Sequence, residues 1–487
     1  MNLFDLTIHD AADGLRAKKF SSVELTESCI ERTNSVEKKL NSYITQTDAT
    51  ALQEAKEADA RFSAGNPRGP LDGIPCAIKD VYCTKGVRTT AASKNLDDFV
   101  PPYDATTVKK LKAAGMVSLG KTNTDEYTCG GSTESSYYGV TRNPWDLERV
   151  AGGSSGGSAS AVAAGQCIYS LGTDTGGSIR QPASYCGITG LKPTYGRISR
   201  FGVISMASSL DTIGPMTKDV MDAALVLQQL AGHDVYDSTT PDVPVPNYLD
   251  SLKPNLDGIK VGVPKEFFIE GMDSDQERGV RDAIVELEKL GAKIVEVSLP
   301  HSVYGLAVYY IICPSEVSAN MERYDGIRYG YSTKSETKDL LEFYTKTRAE
   351  GFGSEMKRRI MIGTYALSAG YYEAYYLKAQ KVRTIRKREF EDALKEVDVL
   401  IGPTVPAPAF KVGEKIDDPL QLYLEDILTV SINISGVPSL AVPVGFSKNN
   451  LPLGMQIIGP QFGEEKILRV GYAFQQATDW HSRRAVI

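Results

Sequence analysis

Between about residues 115 and 214 the chain turns sharply towards Gly, Ser and Thr, and this stretch constrains the fold more than any other feature. It is not low-complexity sequence. Apolar segments with the length of buried strands interrupt it at 116–119, 167–171 and 188–191. Residues 155–165 are Ala, Gly, Ser and Val with a single Gly-rich start, which suits a tightly packed, buried helix. Small side chains let backbones approach closely, and glycine loops leave many N–H groups without side-chain competition. A site built from backbone donors needs that combination.

The rest of the chain alternates helix and strand patterns. Ser21 and Glu24 form a capping-box pattern ahead of Leu25, Cys29, Val36 and Leu40 at helical spacing. A second helix is expected from about Asp48, with Leu52, Ala55 and Phe62 on one face. The turn at 69–73 leads into a short apolar strand, 74–78, with Lys79 at its end. After a Pro- and Asp-rich connector (about 233–258) comes a β-α-β pattern: strand 259–263, a helix with Val280, Ala283, Ile284, Leu287 and Leu290, and strand 293–297. A mostly helical, Tyr-rich stretch follows (about 300–395), then strands at 397–401 and 440–444. This alternation predicts an α/β fold with a large mixed central sheet covered by helices on both faces.

Composition excludes several functions. The 487 residues carry 42% hydrophobic side chains and a net charge of −7, enough for a large core and against a dominant nucleic-acid surface. Seven scattered cysteines without a CxxC pair indicate a reduced, intracellular chain. Acids interrupt the N-terminal segment where a signal peptide needs an apolar core, and the apolar run 306–313 is far short of the roughly 18 residues of a membrane span. A cytoplasmic protein without membrane attachment is the expectation. The four histidines share no ligand spacing, so no metal centre is expected.

Two glycine–serine clusters carry the candidate chemistry. In the heptapeptide 152–158, GGSSGGS, Ser154 is the middle of a GxSxG match. A hydrolase elbow, a phosphate loop and a turn without chemistry all remain open there, although no GK[ST] follows and no histidine has a distinctive context. The second cluster, GTDTGGSIR at 172–180, sets Ser178 after paired glycines. The backbone N–H groups of Thr175, Gly176, Gly177 and Ser178 are candidates for an oxyanion hole around a nucleophile at Ser178. A serine hydroxyl needs an adjacent base. With histidine badly placed, a lysine of depressed pKa is the remaining common choice, and Lys79, ending an apolar strand, is the best candidate.

Together, Lys79, GGSSGGS at 152–158 and GTDTGGSIRQPA at 172–183 resemble the amidase signature family, over essentially the whole chain. The resemblance implies a single amidase-signature domain, 1–487, with N-terminal helices over about 1–65 and a catalytic core over about 66–232. It also implies a Ser-Ser-Lys triad: Ser178 as nucleophile, Lys79 as base, and Ser154 as a proton relay behind a cis peptide to Gly153. Asp174 and Arg180 are expected to form a structural ion pair.

The stretches 192–197, 199–202, 323–330, 351–360 and 368–376 are similar to the A subunits of glutamyl-tRNA(Gln) amidotransferases, a branch of that family. This implies a glutaminase that passes ammonia to a B subunit, where ATP and Mg activate a tRNA-bound glutamate, with a C subunit tying the two together. Charged tRNA would be held mainly by the partner, and no cofactor by this chain. Glutamine would be held by Arg358 on its carboxylate, Asp426 on its ammonium and Tyr309 as a wall, with Glu425 the alternative to Asp426. A stand-alone amidase for another small amide is the competing function. The stretch 125–131, DEYTCGG, departs from the family's usual pattern. The tyrosines at 371, 372, 375 and 376, followed by basic residues, are expected to form a helix with a buried aromatic face and a solvated basic face rather than a nucleic-acid surface.

Overall fold

The computed structural model describes residues 2–487. In chain order the strands are β1 (Tyr43–Gln46), β2 (Pro75–Lys79), β3 (Val117–Thr122), β4 (Arg142–Asn143), β5 (Asp146–Val150), β6 (Tyr169–Asp174), β7 (Thr189–Lys192), β8 (Thr212–Thr217), β9 (Lys260–Pro264), β10 (Lys293–Val297), β11 (Val399–Pro403), β12 (Ser439–Phe446) and β13 (Pro452–Ile458). Eleven of them form one mixed sheet in the order β1-β3-β2-β6-β8-β7-β12-β13-β11-β9-β10, while β4 and β5 pair as a separate ribbon. Every residue of β2, β3, β6, β7, β8 and β13 is buried. A strand whose alternate side chains are all buried must be covered on both faces. The sheet becomes exposed towards its two edges, β1 and, more fully, β10.

The expected α/β architecture with a large mixed sheet is present, and its details differ where the sequence signal was weak. The Ser21–Glu24 capping box starts helix Ser22–Leu40. In helix Asp48–Ser63 the buried face is Ala51, Ala55 and Ala58 rather than Leu52, Ala55 and Phe62. Alanines let this helix close on helix Ser22–Leu40, where a leucine would hold it off. Strands β1, β8 and β13, like the β4–β5 ribbon, lack the uninterrupted apolar run that marked the expected strands. Thr-Ile-Gly-Pro-Met-Thr is an unpromising strand, yet β8 lies between β6 and β7 and pairs antiparallel with both.

Topology sets where a site can form. β2 and β6 are parallel neighbours, with Ile78 opposite Leu171, so their carboxyl ends open on the same edge of the sheet. In open α/β sheets ligands bind at such carboxyl ends. Helix Gly156–Ala163, buried at every position, packs beneath this edge. Gly157 is required there, since a Cβ would come within 2.5 Å of the Asn123 and Ser42 backbones.

The Tyr-rich region consists of helices Gly305–Met321, Leu340–Gly351, Ser354–Leu367 and Lys378–Glu396, with a π-helical turn at Glu373–Leu377. Its expected faces are reversed in part. Tyr371, Tyr372 and Tyr375 are 40–41% exposed, with Tyr371 and Tyr375 packed on one another and on Tyr365, whereas the basic Arg386 is fully buried. The π turn falls within the tyrosine run, so the run does not follow one α-helical stripe onto the core.

Candidate active site

The centre of the site is a lysine sealed into the core. Lys79 ends β2, is fully buried, and its ammonium position is ringed by three hydroxyls: Ser154 Oγ at 2.7 Å, Thr173 Oγ1 at 2.8 Å and Ser155 Oγ at 2.9 Å. Burial disfavours the charged form and brings the Lys79 pKa down to about 7, against the opposing pull of Asp125, Asp174 and Asp211. A neutral amine has two N–H donors and one lone pair, so one of the three hydroxyls must then donate to the nitrogen. Thr173 arrives from β6, the parallel neighbour of β2. Ser154 and Ser155 arrive from the loop that opens helix Gly156–Ala163, and the Gly153–Ser154 peptide is cis. Ser155 is held by Thr173 in return, accepting from its N–H (3.2 Å) and donating to its carbonyl (3.1 Å).

Ser178 lies beside this group, in the loop after β6. Its carbonyl accepts from Ser155 N at 3.2 Å, which ties the two glycine–serine clusters together. The Ser178 hydroxyl itself makes no hydrogen bond to Ser154. The loop is folded around a buried ion pair. Arg180 Nε donates to Asp174 Oδ2 (3.0 Å) and Nη2 to Oδ1 (3.1 Å), and the guanidinium also reaches Gln456, Asn433 and the Thr429 carbonyl. Burial alone would raise the Asp174 pKa, but Arg180, Lys192 and Asn433 outweigh it and hold it at about 2. A permanent carboxylate with a dedicated arginine is the structural ion pair anticipated.

The four amides expected to form an oxyanion hole are not equivalent. Gly177 N–H is spent on Asp174 Oδ1 at 2.9 Å, so it is not available to a substrate. The Thr175, Gly176 and Ser178 amides have no such partner among the described residues. Gly176 is fixed from behind, its carbonyl accepting from Thr429 Oγ1 at 2.5 Å. On its open side stands Tyr309, whose hydroxyl would lie 2.5 Å from a Cβ at Gly176. Tyr309 therefore does border the oxyanion loop.

Arg358 does not reach the site. It is 41% exposed on the outer face of helix Ser354–Leu367 and pairs with Glu355. Its neighbour Arg359 is buried in its place. Consecutive helical residues point about 100° apart, and the buried face of this helix is Met356, Arg359, Gly363 and Ala366. Gly363 marks the crossing with helix Gly305–Met321, since a Cβ there would fall 1.9 Å from the Pro314 carbonyl. Arg359 Nε donates to Glu355 Oε1 (2.7 Å), and its guanidinium stacks over the rings of Tyr310 (4.8 Å) and Tyr423 (4.6 Å). Sequence reasoning missed it, although the small and apolar residues at 356, 363 and 366 were the signal.

Asp426 meets the same Tyr310 that lies under this arginine. Its Oδ2 accepts from Tyr310 OH at 2.7 Å, and burial raises its pKa to about 7, with Tyr310 and Arg359 pulling the other way. Glu425 points elsewhere and is committed to Tyr185 OH (2.8 Å) and Lys415. Tyr310 and Tyr423 stack at 4.1 Å and complete the wall. One group of potential metal ligands exists among the described residues, His9 with Asp219 and Asp222, and it lies apart from this site. Asp222 accepts there from the backbone N–H groups of Ile8 and His9, the work of a helix N-terminal anchor.

The chain resembles known proteins along nearly its whole length. The profile of the Amidase family matches residues 24–468. The A subunit of glutamyl-tRNA(Gln) amidotransferase from Geotalea daltonii is 56% identical over 487 residues, covering all of both chains, and that from Geobacter metallireducens is 55% identical over the same length. The crystal structure of the A subunit of glutamyl-tRNA(Gln) amidotransferase from Thermotoga maritima superposes with a TM-score of 0.82 at 40% identity, over 98% of this chain and 96% of that one. Family profile, full-length relatives and fold coincide: the chain belongs to the amidase signature family.

Proposed function

We propose that this chain is the glutamine-hydrolysing subunit of a tRNA-dependent amidotransferase. The observation that carries the proposal is a desolvated lysine hydrogen-bonded to Ser154, together with a buried arginine and a buried aspartate that both touch Tyr310 and suit the two charges of a free amino acid. The full-length likeness to proteins named as A subunits supports the same substrate. Residues 1–487 act as one unit, because strands from both sides of the 233–258 connector build the same sheet.

Lys79, neutral, takes the hydroxyl proton of Ser154, which takes that of Ser178. The freed Ser178 oxygen attacks the side-chain carboxamide carbon of glutamine, and the carbonyl π bond opens onto its oxygen. The Thr175, Gly176 and Ser178 amides stabilise that oxyanion. As it collapses, the C–N bond breaks and the nitrogen takes the proton back through Ser154, leaving as ammonia. A γ-glutamyl ester remains on Ser178, and water hydrolyses it to glutamate by the same relay. Arg359 pairs with the α-carboxylate and Asp426 with the α-ammonium, while Tyr309 shapes the wall beside Gly176. No step draws on a cofactor held by this chain. Ammonia passes to a B subunit that uses ATP and Mg on charged tRNA, with a C subunit joining the two, in the cytoplasm.

The test is to purify the chain with its partner subunits and measure ammonia released from glutamine, with and without ATP and charged tRNA. A covalent adduct on Ser178 that is lost in Ser178→Ala supports the assignment. No ammonia from glutamine in the intact complex refutes it.

A further inference from the structure

The buried carboxylate of Glu126 has no part in the chemistry above, yet it joins the two halves of the site. It stands in a tight turn after β3, only 3% exposed. Its Oε1 accepts from Ser93 Oγ at 2.6 Å, and its Oε2 accepts from the backbone N–H of Gly353 at 2.8 Å. Gly353 is the N-cap of helix Ser354–Leu367 and has no side chain to cap it. Glu126 supplies from a distant loop the acceptor that the N3 Glu or Gln of a capping box gives to the N-cap N–H, a position held here by Met356, and puts a carboxylate at the positive end of the helix dipole. The contact leaves no slack, since a Cβ on Gly353 would lie 2.6 Å from Oε2.

That helix carries Arg359 about one and two-thirds turns further on. It also carries Glu355, which accepts from Arg359 Nε and from Tyr423 OH (2.8 Å) and so aims the guanidinium. The residue before Glu126, Asp125, grips the other half of the site. Its Oδ2 accepts from Thr133 N (3.0 Å) and lies 2.2 Å from where a Gly153 Cβ would sit, directly beside the Gly153–Ser154 peptide. The turn bearing both acids is held in shape. Tyr127 and Thr128 take left-handed conformations (φ 48° and 62°) that non-glycine residues rarely adopt. The Tyr127 ring packs 4.8 Å from Tyr324 and 6.0 Å from Phe352, the residue before Gly353.

We infer that Glu126 is a positioning residue that fixes the register of helix Ser354–Leu367, and with it Arg359, relative to the catalytic serines. It therefore governs recognition of the substrate's α-carboxylate rather than the bond-breaking step. The inference rests on the assignment of Arg359 to that carboxylate.

The test uses the chain in complex with its partner subunits and two substrates: glutamine, and 4-aminobutyramide, which keeps the amide and the amine and lacks the carboxylate. Glu126→Ala raises the KM for glutamine about tenfold or more, changes kcat less than about threefold, and leaves kcat/KM for 4-aminobutyramide unchanged. Glu126→Gln, whose amide oxygen still accepts from Gly353 N, stays within about threefold of wild type. An unchanged KM for glutamine in Glu126→Ala, or equal losses on both substrates, overturns the inference. Where Glu126→Ala does not fold, Gly353→Ala, which pushes the carboxylate off the helix end, must give the same split, and an unchanged KM there is equally fatal. Arg359→Ala separates the two levels. If it leaves the KM for glutamine untouched, the substrate assignment itself has failed, whatever the Glu126 variants do.

Discussion

At saturating glutamine the complex should run about tenfold slower at pH 6 than at pH 8. Lys79 must be neutral to accept a proton, and its burial among Ser154, Ser155 and Thr173 brings its pKa from the ordinary 10.5 to about 7. With a midpoint near 7, about nine-tenths of the enzyme is neutral at Lys79 at pH 8 and about one-tenth at pH 6, so kcat rises along one limb and levels off above pH 8. A lysine left at 10.5 would behave differently, with the rate climbing about tenfold per unit through pH 9 and no plateau. The quantity to measure is kcat, because Asp426 also titrates near 7. Asp426 must be ionised to hold an ammonium, so its titration lowers KM as pH rises rather than changing kcat. Lys79→Ala should abolish the limb and lower kcat about 10²–10⁴-fold, the usual contribution of a general base. A profile that keeps rising above pH 8, or is flat from pH 5 to 8, would show that Lys79 is not the base.

Three further outcomes follow from the geometry. Arg359→Ala should raise the KM for glutamine about 10–100-fold, the worth of one charge-assisted hydrogen-bonded pair, while Arg358→Ala, on the solvent side, changes it less than about twofold; the reverse ranking in steady-state kinetics would mean the helix faces the other way. Gly176→Ala should cut kcat about 100-fold, because its Cβ meets the Tyr309 hydroxyl at 2.5 Å and displaces an oxyanion donor; a rate within about threefold of wild type contradicts the placement of that loop. Arg180→Met should cost about 3–5 kcal/mol in denaturant unfolding, since it strands the buried Asp174 carboxylate; a loss below about 1 kcal/mol would mean the pair is not holding the loop.

Part of the candidate centre was legible in the chain, although Lys79 lies 75 residues before Ser154 and the relay role of Ser154 was implied only by the family resemblance. Lys79 ends an apolar strand, and the two glycine–serine clusters lie only 24 residues apart at Ser154 and Ser178. Each of these pieces, taken singly, is written in consecutive residues. The hydroxyls that complete the Lys79 shell, Ser155 and Thr173, were in plain view too. What was missing was the count: a buried lysine nitrogen needs three partners, and a reading with one serine left two unassigned.

The substrate end was harder to read for a different reason. Its residues come from helices Gly305–Met321 and Ser354–Leu367 and from the segment around Asp426, and what selects among adjacent candidates is rotation about a helix axis. In the run Lys357-Arg358-Arg359 all three positions have the right charge, and only the stripe of Met356, Gly363 and Ala366 says which one turns inward. Asp426, on Tyr310, and Glu425, on Lys415 and Tyr185, are separated instead by the course of the turn that follows helix Pro419–Leu424. On the proposed function, a local motif carries the chemistry, while recognition rests on how helix Ser354–Leu367 is seated on the core. The carboxylate of Glu126 on Gly353 is a contact across 227 residues, and nothing in the spacing of the chain announces it.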